Sequence, residues 1–326
     1  MSAGTYEIPG ARHHFVDTNG ICLSVFEAGE RSDPTVVFSH GFPELAFSWR
    51  HQVVALAEAG FHVVAPDQRG YGASDKPAAV EDYDMVHLTG DLVGVLDAMD
   101  VDRAVFVGHD WGGFVVWQMP FHHRDRVAGI VGVNTPHTAR FPMPPVEMFR
   151  NVVGENFYIV WFQTPDVPEA AIEANVDVVL DHMLRRVIDP TALQERGASL
   201  DATFVEAVTN MPPELLGPKL VTTDELAVYV ETFRAGGFRG PVNWYRNFDR
   251  NWEMSAGRES DRIDGVPCLM VTASWDPVLP PALAQGMPDL IEDLEIHEIA
   301  ECGHWTQQER PDELNRVLID WLSRKL

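Results

Sequence analysis

Ala104-Val-Phe-Val-Gly-His-Asp-Trp-Gly-Gly113 is the stretch whose pattern decides the fold. Four apolar, β-prone residues run into Gly108-His109-Asp110-Trp111-Gly112, the G-x-nucleophile-x-G pattern of a sharp strand-to-helix turn, with an aspartate at its centre. Small residues two places before and two places after the centre let the chain turn that tightly. The central side chain then projects from the edge of the sheet, and the N-terminus of the following helix favours an anion there. Asp110 is therefore the candidate nucleophile.

Outward from this stretch, short apolar runs recur at Thr35–Ser39, Phe61–Ala65 and Val127–Val133, spaced by amphipathic segments. Near-continuous apolar strands covered by helices predict a buried, mostly parallel sheet. Upstream, Asn19-Gly20 sits between two β-prone stretches from Phe15 to Phe26 and tolerates the positive φ angles of a tight type I′ turn, so a hairpin is expected. After Val133 the pattern changes, because Phe141-Pro-Met-Pro-Pro145 leads into helical periodicity with few strand-like runs. Strand character returns at Pro267–Thr272 and Leu294–Ile299, and an amphipathic helix is expected from Asp312 to Leu322. The expected organisation is a core over 1–138 and 251–326, interrupted by a helical cap over 139–250.

The partners of Asp110 follow in the order nucleophile, acid, histidine. Asp276 lies in Ser274-Trp-Asp276-Pro-Val-Leu279, just after one predicted strand, and His304 lies in Cys302-Gly-His304-Trp305, just after the next. Both fall where loops leave the carboxyl ends of the strands, the rim at which open α/β sheets place their ligands. Upstream, His40-Gly-Phe-Pro-Glu44 directly follows the strand at 35–39. The backbone N–H of Phe42, with that of Trp111, is the candidate oxyanion hole, and Pro43 is a candidate for a cis bond.

Composition narrows the function classes. Lys and Arg total 24 against 49 Asp and Glu, and a formal charge of −25 repels phosphate backbones and anionic lipid surfaces. Nucleic-acid binding is not expected. Cys22, Cys268 and Cys302 form no CxxC pair and read as free thiols in a reducing compartment. The first residues lack the basic and apolar regions of a signal peptide, and no apolar run approaches ~18 residues, so a cytoplasmic protein without a membrane span is expected. His297, Cys302 and His304 do not complete a tetrahedral metal pattern, and neither metal nor other cofactor is expected.

Taken together, His40-Gly-Phe-Pro-Glu44, Ser48-Trp-Arg-His-Gln52, Asp67-Gln-Arg-Gly-Tyr-Gly72, Gly108-His-Asp-Trp-Gly112, Asn243-Trp-Tyr-Arg-Asn247 and Gly303-His-Trp-Thr-Gln307 resemble the epoxide hydrolases of the α/β-hydrolase superfamily. Bacterial members and the hydrolase domain of the mammalian soluble enzyme are both similar, from about residue 35 onward. The resemblance implies an α/β-hydrolase fold, with a mostly parallel eight-stranded sheet flanked by helices and an inserted helical cap. It also implies two cap tyrosines that donate protons to the opening ring, and Tyr158 in Tyr158-Ile-Val-Trp-Phe-Gln163 and Tyr245 in Asn243-Trp-Tyr-Arg246 match them. Trp161 and Trp244, with Phe42 and Trp111, are candidate substrate-contacting aromatics.

An epoxide has no carbonyl and must be opened at a saturated carbon, a displacement that suits a carboxylate. Asp110 would form a hydroxyalkyl ester, and His304 backed by Asp276 would activate water to hydrolyse it. The expected partners are a small apolar epoxide and water, with the chain a monomer or a homodimer. A haloalkane dehalogenase would share the Asp-Asp-His set, with the Trp111 indole serving the halide, and a ligand-binding receptor could be built on the same scaffold. The elbow carries no serine, which disfavours a serine esterase.

Overall fold

A computed structural model describes residues 5–199 and 202–326. Its strands are β1 (Arg12–Thr18), β2 (Ile21–Ala28), β3 (Thr35–Ser39), β4 (His62–Pro66), β5 (Ala104–His109), β6 (Val127–Val133), β7 (Ile263–Ala273) and β8 (Ile291–Ile299). They form one sheet in the order β1-β2-β4-β3-β5-β6-β7-β8. Only the β1/β2 and β2/β4 pairs are antiparallel.

Local chemistry accounts for these elements. The hairpin turns at Asn19 and Gly20, whose φ angles of 47° and 78° suit the expected I′ turn. Every residue of β3, β4 and β5 is buried, as the apolar runs imply for central parallel strands covered on both faces. The edge strand β8 is buried only at its two ends, Ile291 and Ile299, and its Asp293 and Glu295 pair with Lys325 and Arg324 of the last helix, which discourages pairing with another edge.

Several expected boundaries move. Strand β7 begins at Ile263 rather than Pro267, with its register shifting between those two residues, and β8 begins at Ile291 rather than Leu294. Gly265, at φ 64°, and Pro267 mask the start of β7 in sequence because both weaken the strand signal while marking an irregularity. The last helix spans Pro311–Lys325, longer than its apolar stripe alone suggested.

Between β6 and β7 the described chain is helical from Pro145 to Met254 apart from its turns and one isolated bridge. This insertion is tied to the core by specific bonds. Thr222 and Glu225 form a capping box at the start of the helix Thr223–Gly236, and Glu225 also binds the buried Arg50 at 2.7 Å. Ser48 and Tyr229 hydroxyls meet at 2.8 Å, and the Trp244 indole N–H donates to the Arg69 carbonyl at 3.1 Å. Strand order positions the site: from β3 the chain steps to β4 on one side and then to β5 on the other. The reversal opens a crevice at the carboxyl ends of β3 and β5.

Candidate active site

The loop after β3 and the turn after β5 meet in that crevice. Asp110 sits at φ 50°, ψ −120°, a conformation that non-glycine residues rarely adopt, and caps the helix Trp111–His122. Close approach explains the surrounding glycines. A Cβ on Gly108 would lie 2.2 Å from the Gly112 carbonyl oxygen, one on Gly112 would lie 2.0 Å from that of Ser39, and one on Gly41 would lie 2.4 Å from Asp110 Cβ. The Thr135 hydroxyl holds the Asp110 carbonyl at 2.8 Å.

The Phe42 N–H donates to Asp110 Oδ1 at 2.7 Å, and the Trp111 N–H also binds this carboxylate. The Phe42–Pro43 bond is cis. Burial pushes the Asp110 carboxyl above its ordinary value, while His304, His109 and the two backbone N–H groups pull it back. The group is thus a partly desolvated anion, which is the condition of a reactive carboxylate nucleophile.

Asp276 and His304 arrive as their loop positions predict. His304 Nδ1 lies 2.9 Å from Asp276 Oδ2, and His304 Nε2 lies 3.8 Å from Asp110 Oδ2. The second gap is too long for a direct hydrogen bond and suits a bridging water. Burial works against ionised Asp276, but His304, the Leu279 N–H and Asn134 more than compensate and lower its carboxyl to about 2. Burial likewise opposes the imidazolium, yet Asp276, Asp110 and Glu44 together raise His304 to about 9.

Tyr158 and Tyr245 stand across from Asp110. Both line, with Asp110, Phe42 and His304, a cavity of about 350 Å³ whose remaining wall is largely apolar. Their rings are 5.8 Å apart, and burial followed by the charge of Asp110 raises both phenols. They therefore stay protonated near neutral pH and can donate hydrogen bonds. Gln163 links the segments that carry them, donating to the carbonyls of Ile159 at 2.8 Å and Tyr245 at 3.0 Å.

The model of the α/β-hydrolase-fold family matches residues 34–186. Epoxide hydrolase A of Mycobacterium tuberculosis is 45% identical over 94% of this chain and 96% of its own length. The chain belongs to the epoxide hydrolases of the α/β-hydrolase fold. A crystal structure of epoxide hydrolase A from Mycobacterium thermoresistibile superposes with a TM-score of 0.90 at 41% identity, covering 96% of this chain and 98% of that one. Bifunctional epoxide hydrolase 2 of Sus scrofa is 40% identical over 96% of this chain, which spans 54% of that longer protein.

Around the candidate site of this epoxide hydrolase, two aromatic candidates stand elsewhere than sequence placed them. Trp244 is fully buried, with its indole bonded to Arg69 and stacked edgewise on Trp111 at 5.8 Å, so it joins insertion to core and does not line the cavity. Trp161 lies beside Phe162 at 5.7 Å and is not part of the cavity wall either. The ring of Trp111 lines a separate cavity of about 130 Å³, with Phe114 and Phe248. That ring stands edgewise against the ring of Tyr245 at 5.1 Å.

Sequence reasoning missed the residues beneath the triad. Glu44 accepts the Gly41 N–H at 2.9 Å and His109 Nδ1 at 2.7 Å, while His109 Nε2 donates to the His304 carbonyl at 2.7 Å. All of these side chains are buried, and Gln307 closes the group on Glu44 at 2.5 Å. The signal available was the polar character of Glu44 and His109 inside otherwise apolar motifs, since buried polar groups require partners.

Proposed function

We propose that the chain hydrolyses epoxides to vicinal diols through an ester on Asp110. The observation that carries this is the grouping, around one cavity, of a carboxylate and two neutral phenols. The carboxylate attacks a ring carbon as the carbon–oxygen bond breaks, and a phenol gives its proton to the departing oxygen. The His304 imidazolium replaces that proton. Esterification has meanwhile removed the negative charge of Asp110, one of the charges holding the proton on His304.

Neutral His304 then takes a proton from water, and the hydroxide adds to the ester carbonyl. The oxyanion forms on Asp110's own carboxyl oxygen, within reach of the Phe42 and Trp111 N–H groups. Collapse expels the diol, which takes the proton from His304, and the remaining acid proton returns to the imidazole. The carboxylate and imidazolium of the resting state are restored.

The test is His304→Gln incubated with styrene oxide and followed by mass spectrometry. Ring opening without hydrolysis leaves the protein heavier by one substrate, whereas an unmodified protein after long incubation would count against the covalent route. Replacing both Tyr158 and Tyr245 by Phe should slow ester formation at least about 100-fold, a usual scale for losing positioned acid catalysis. Parallel assays of styrene oxide and a bromoalkane separate the activities: bromide without diol would favour the dehalogenase alternative, and neither product a binding role.

A further inference from the structure

Asn134 directly follows β6 and is 1% exposed. Its backbone N–H donates to the Val271 carbonyl at 2.8 Å, and its φ of 63° lies in the left-handed region that asparagine tolerates better than most residues. Its Nδ2 donates to Asp276 Oδ2 at 2.7 Å and reaches the Gly303 carbonyl at 3.4 Å. One amide therefore touches the loop after β7, which carries the acid, and the loop after β8, which carries the histidine. Its Oδ1 is buried without a protein partner. Flipping the amide would set that oxygen against the Asp276 carboxylate, so the donor orientation is strongly preferred.

The Asp276 carboxylate accepts four bonds, divided by oxygen. Oδ1 takes the backbone N–H groups of Val278 at 2.8 Å and Leu279 at 3.0 Å, which belong to its own loop. Oδ2 takes His304 Nδ1 and Asn134 Nδ2. Asn134 is thus the only side chain besides the histidine bonded to this carboxylate among the described residues. It restricts rotation of the oxygen that must keep His304 Nδ1 protonated and Nε2 free to act.

We infer that Asn134 is a positioning residue of the hydrolytic step: it sets the direction and basicity of the Asp276 carboxylate and through it tunes His304. This rests on the role of the ester proposed above. The sign follows from charge. A neutral donor stabilises the carboxylate more when His304 is neutral than when an imidazolium already compensates it. Asn134 therefore favours the neutral, basic histidine, and its loss makes His304 hold its proton to higher pH. The other titratable groups facing this pair are Asp110, Glu44, His109, Tyr158 and Cys302, and the substitutions at Asn134 leave each of these side chains in the sequence.

A purely conformational role for Asn134 predicts something different, because glycine satisfies a left-handed position without any amide. The experiment compares wild type, Asn134→Gly and Asn134→Asp, following formation and hydrolysis of the styrene oxide ester separately by rapid-quench mass spectrometry across pH. Asn134→Gly should form ester at near the wild-type rate and hydrolyse it about 10-fold more slowly. The pH at which hydrolysis reaches half its maximum should rise by roughly half a unit or more.

Asn134→Asp keeps the turn preference and sets a second carboxylate against Asp276, so its shift should exceed that of Asn134→Gly; it also carries the test if the glycine variant fails to fold. Hydrolysis at the wild-type rate and pH midpoint in the folded variants overturns the inference. A wild-type protein that forms no ester overturns instead the epoxide-opening role on which it rests.

Discussion

At the scale of single residues, the site is organised around a carboxylate kept in a place that disfavours it. Asp110 combines a rare backbone conformation with burial that raises its carboxyl. For an acid raised in the folded state, the ionised form costs stability above the folded value, and the cost fades as pH falls through it. Asp110→Asn removes the charge while keeping a residue that tolerates positive φ. Its Tm should exceed that of wild type near pH 7, and the gap should narrow in acid; a lower Tm at neutral pH would refute the strain assigned to Asp110. A second prediction concerns His304, held near 9 in the resting site partly by Asp110. Once Asp110 is an ester that charge is gone, so single-turnover hydrolysis should rise with pH about a midpoint clearly below 9. A midpoint at or above 9 would mean that Asp110 does not contribute. Asp110, Asp276 and His304 were legible in sequence because each stands in a local motif and their order is characteristic. Asn134, Glu44 and His109 were not, because their meaning comes from contacts across 142, 65 and 195 positions of the chain.

At the scale of elements, the strands were legible wherever burial is complete, as in β3, β4 and β5, and blurred where a bulge or an edge breaks the pattern, as at the starts of β7 and β8. The turn after β5 is a steric device as much as a motif. The 2.0 Å approach of a Gly112 Cβ to the Ser39 carbonyl involves backbone on the receiving side, which cannot swing away. Gly112→Ala should cost about 3 kcal/mol, the upper range of overpacking, and a urea unfolding curve close to wild type would show that the elbow relaxes. In the insertion, the short helix Tyr158–Trp161 and the helix Arg239–Arg246 are joined by aromatic contact, by the side chain of Gln163, and by Arg246, which donates to the Phe162 carbonyl at 3.0 Å and the Thr164 carbonyl at 2.9 Å. Gln163→Ala should let the tyrosines drift apart and slow ester formation roughly 10-fold, since small misplacements of a proton donor are costly. Ester hydrolysis, which depends on the core loops, should keep its rate. Equal slowing of both steps would indicate a general loss of structure instead.

At the scale of the whole molecule, the loops after β5, β7 and β8 carry Asp110, Asp276 and His304 while the insertion carries Tyr158 and Tyr245, so neither part alone holds all five residues of the proposed site. The binding faces of the insertion were the least legible feature in sequence. Trp161 and Trp244 looked like pocket aromatics, yet the chamber is walled by scattered residues such as Phe204, Val208 and Met211, which no local pattern unites. The arrangement around Trp111 has a consequence for substrate shape. Asp110 opens into the larger of these two cavities, and the smaller one lies behind Trp111, with no lining residue in common among the described residues. Between them the Trp111 ring packs on Tyr245 at 5.1 Å and on Phe248 at 4.8 Å. An epoxide held at Asp110 can therefore extend a bulky substituent on one side and meets this aromatic wall on the other. Wild type should turn over styrene oxide with a kcat/KM at least about 10-fold above that for trans-stilbene oxide, whose second phenyl ring has no chamber to enter. Phe248→Ala should narrow that ratio, because it removes the ring that backs Trp111 on the side of the smaller cavity and gives the Trp111 ring room to yield. Comparable turnover of both epoxides by wild type would mean that the wall moves aside on binding, and the shape of the resting cavities would then not govern selectivity.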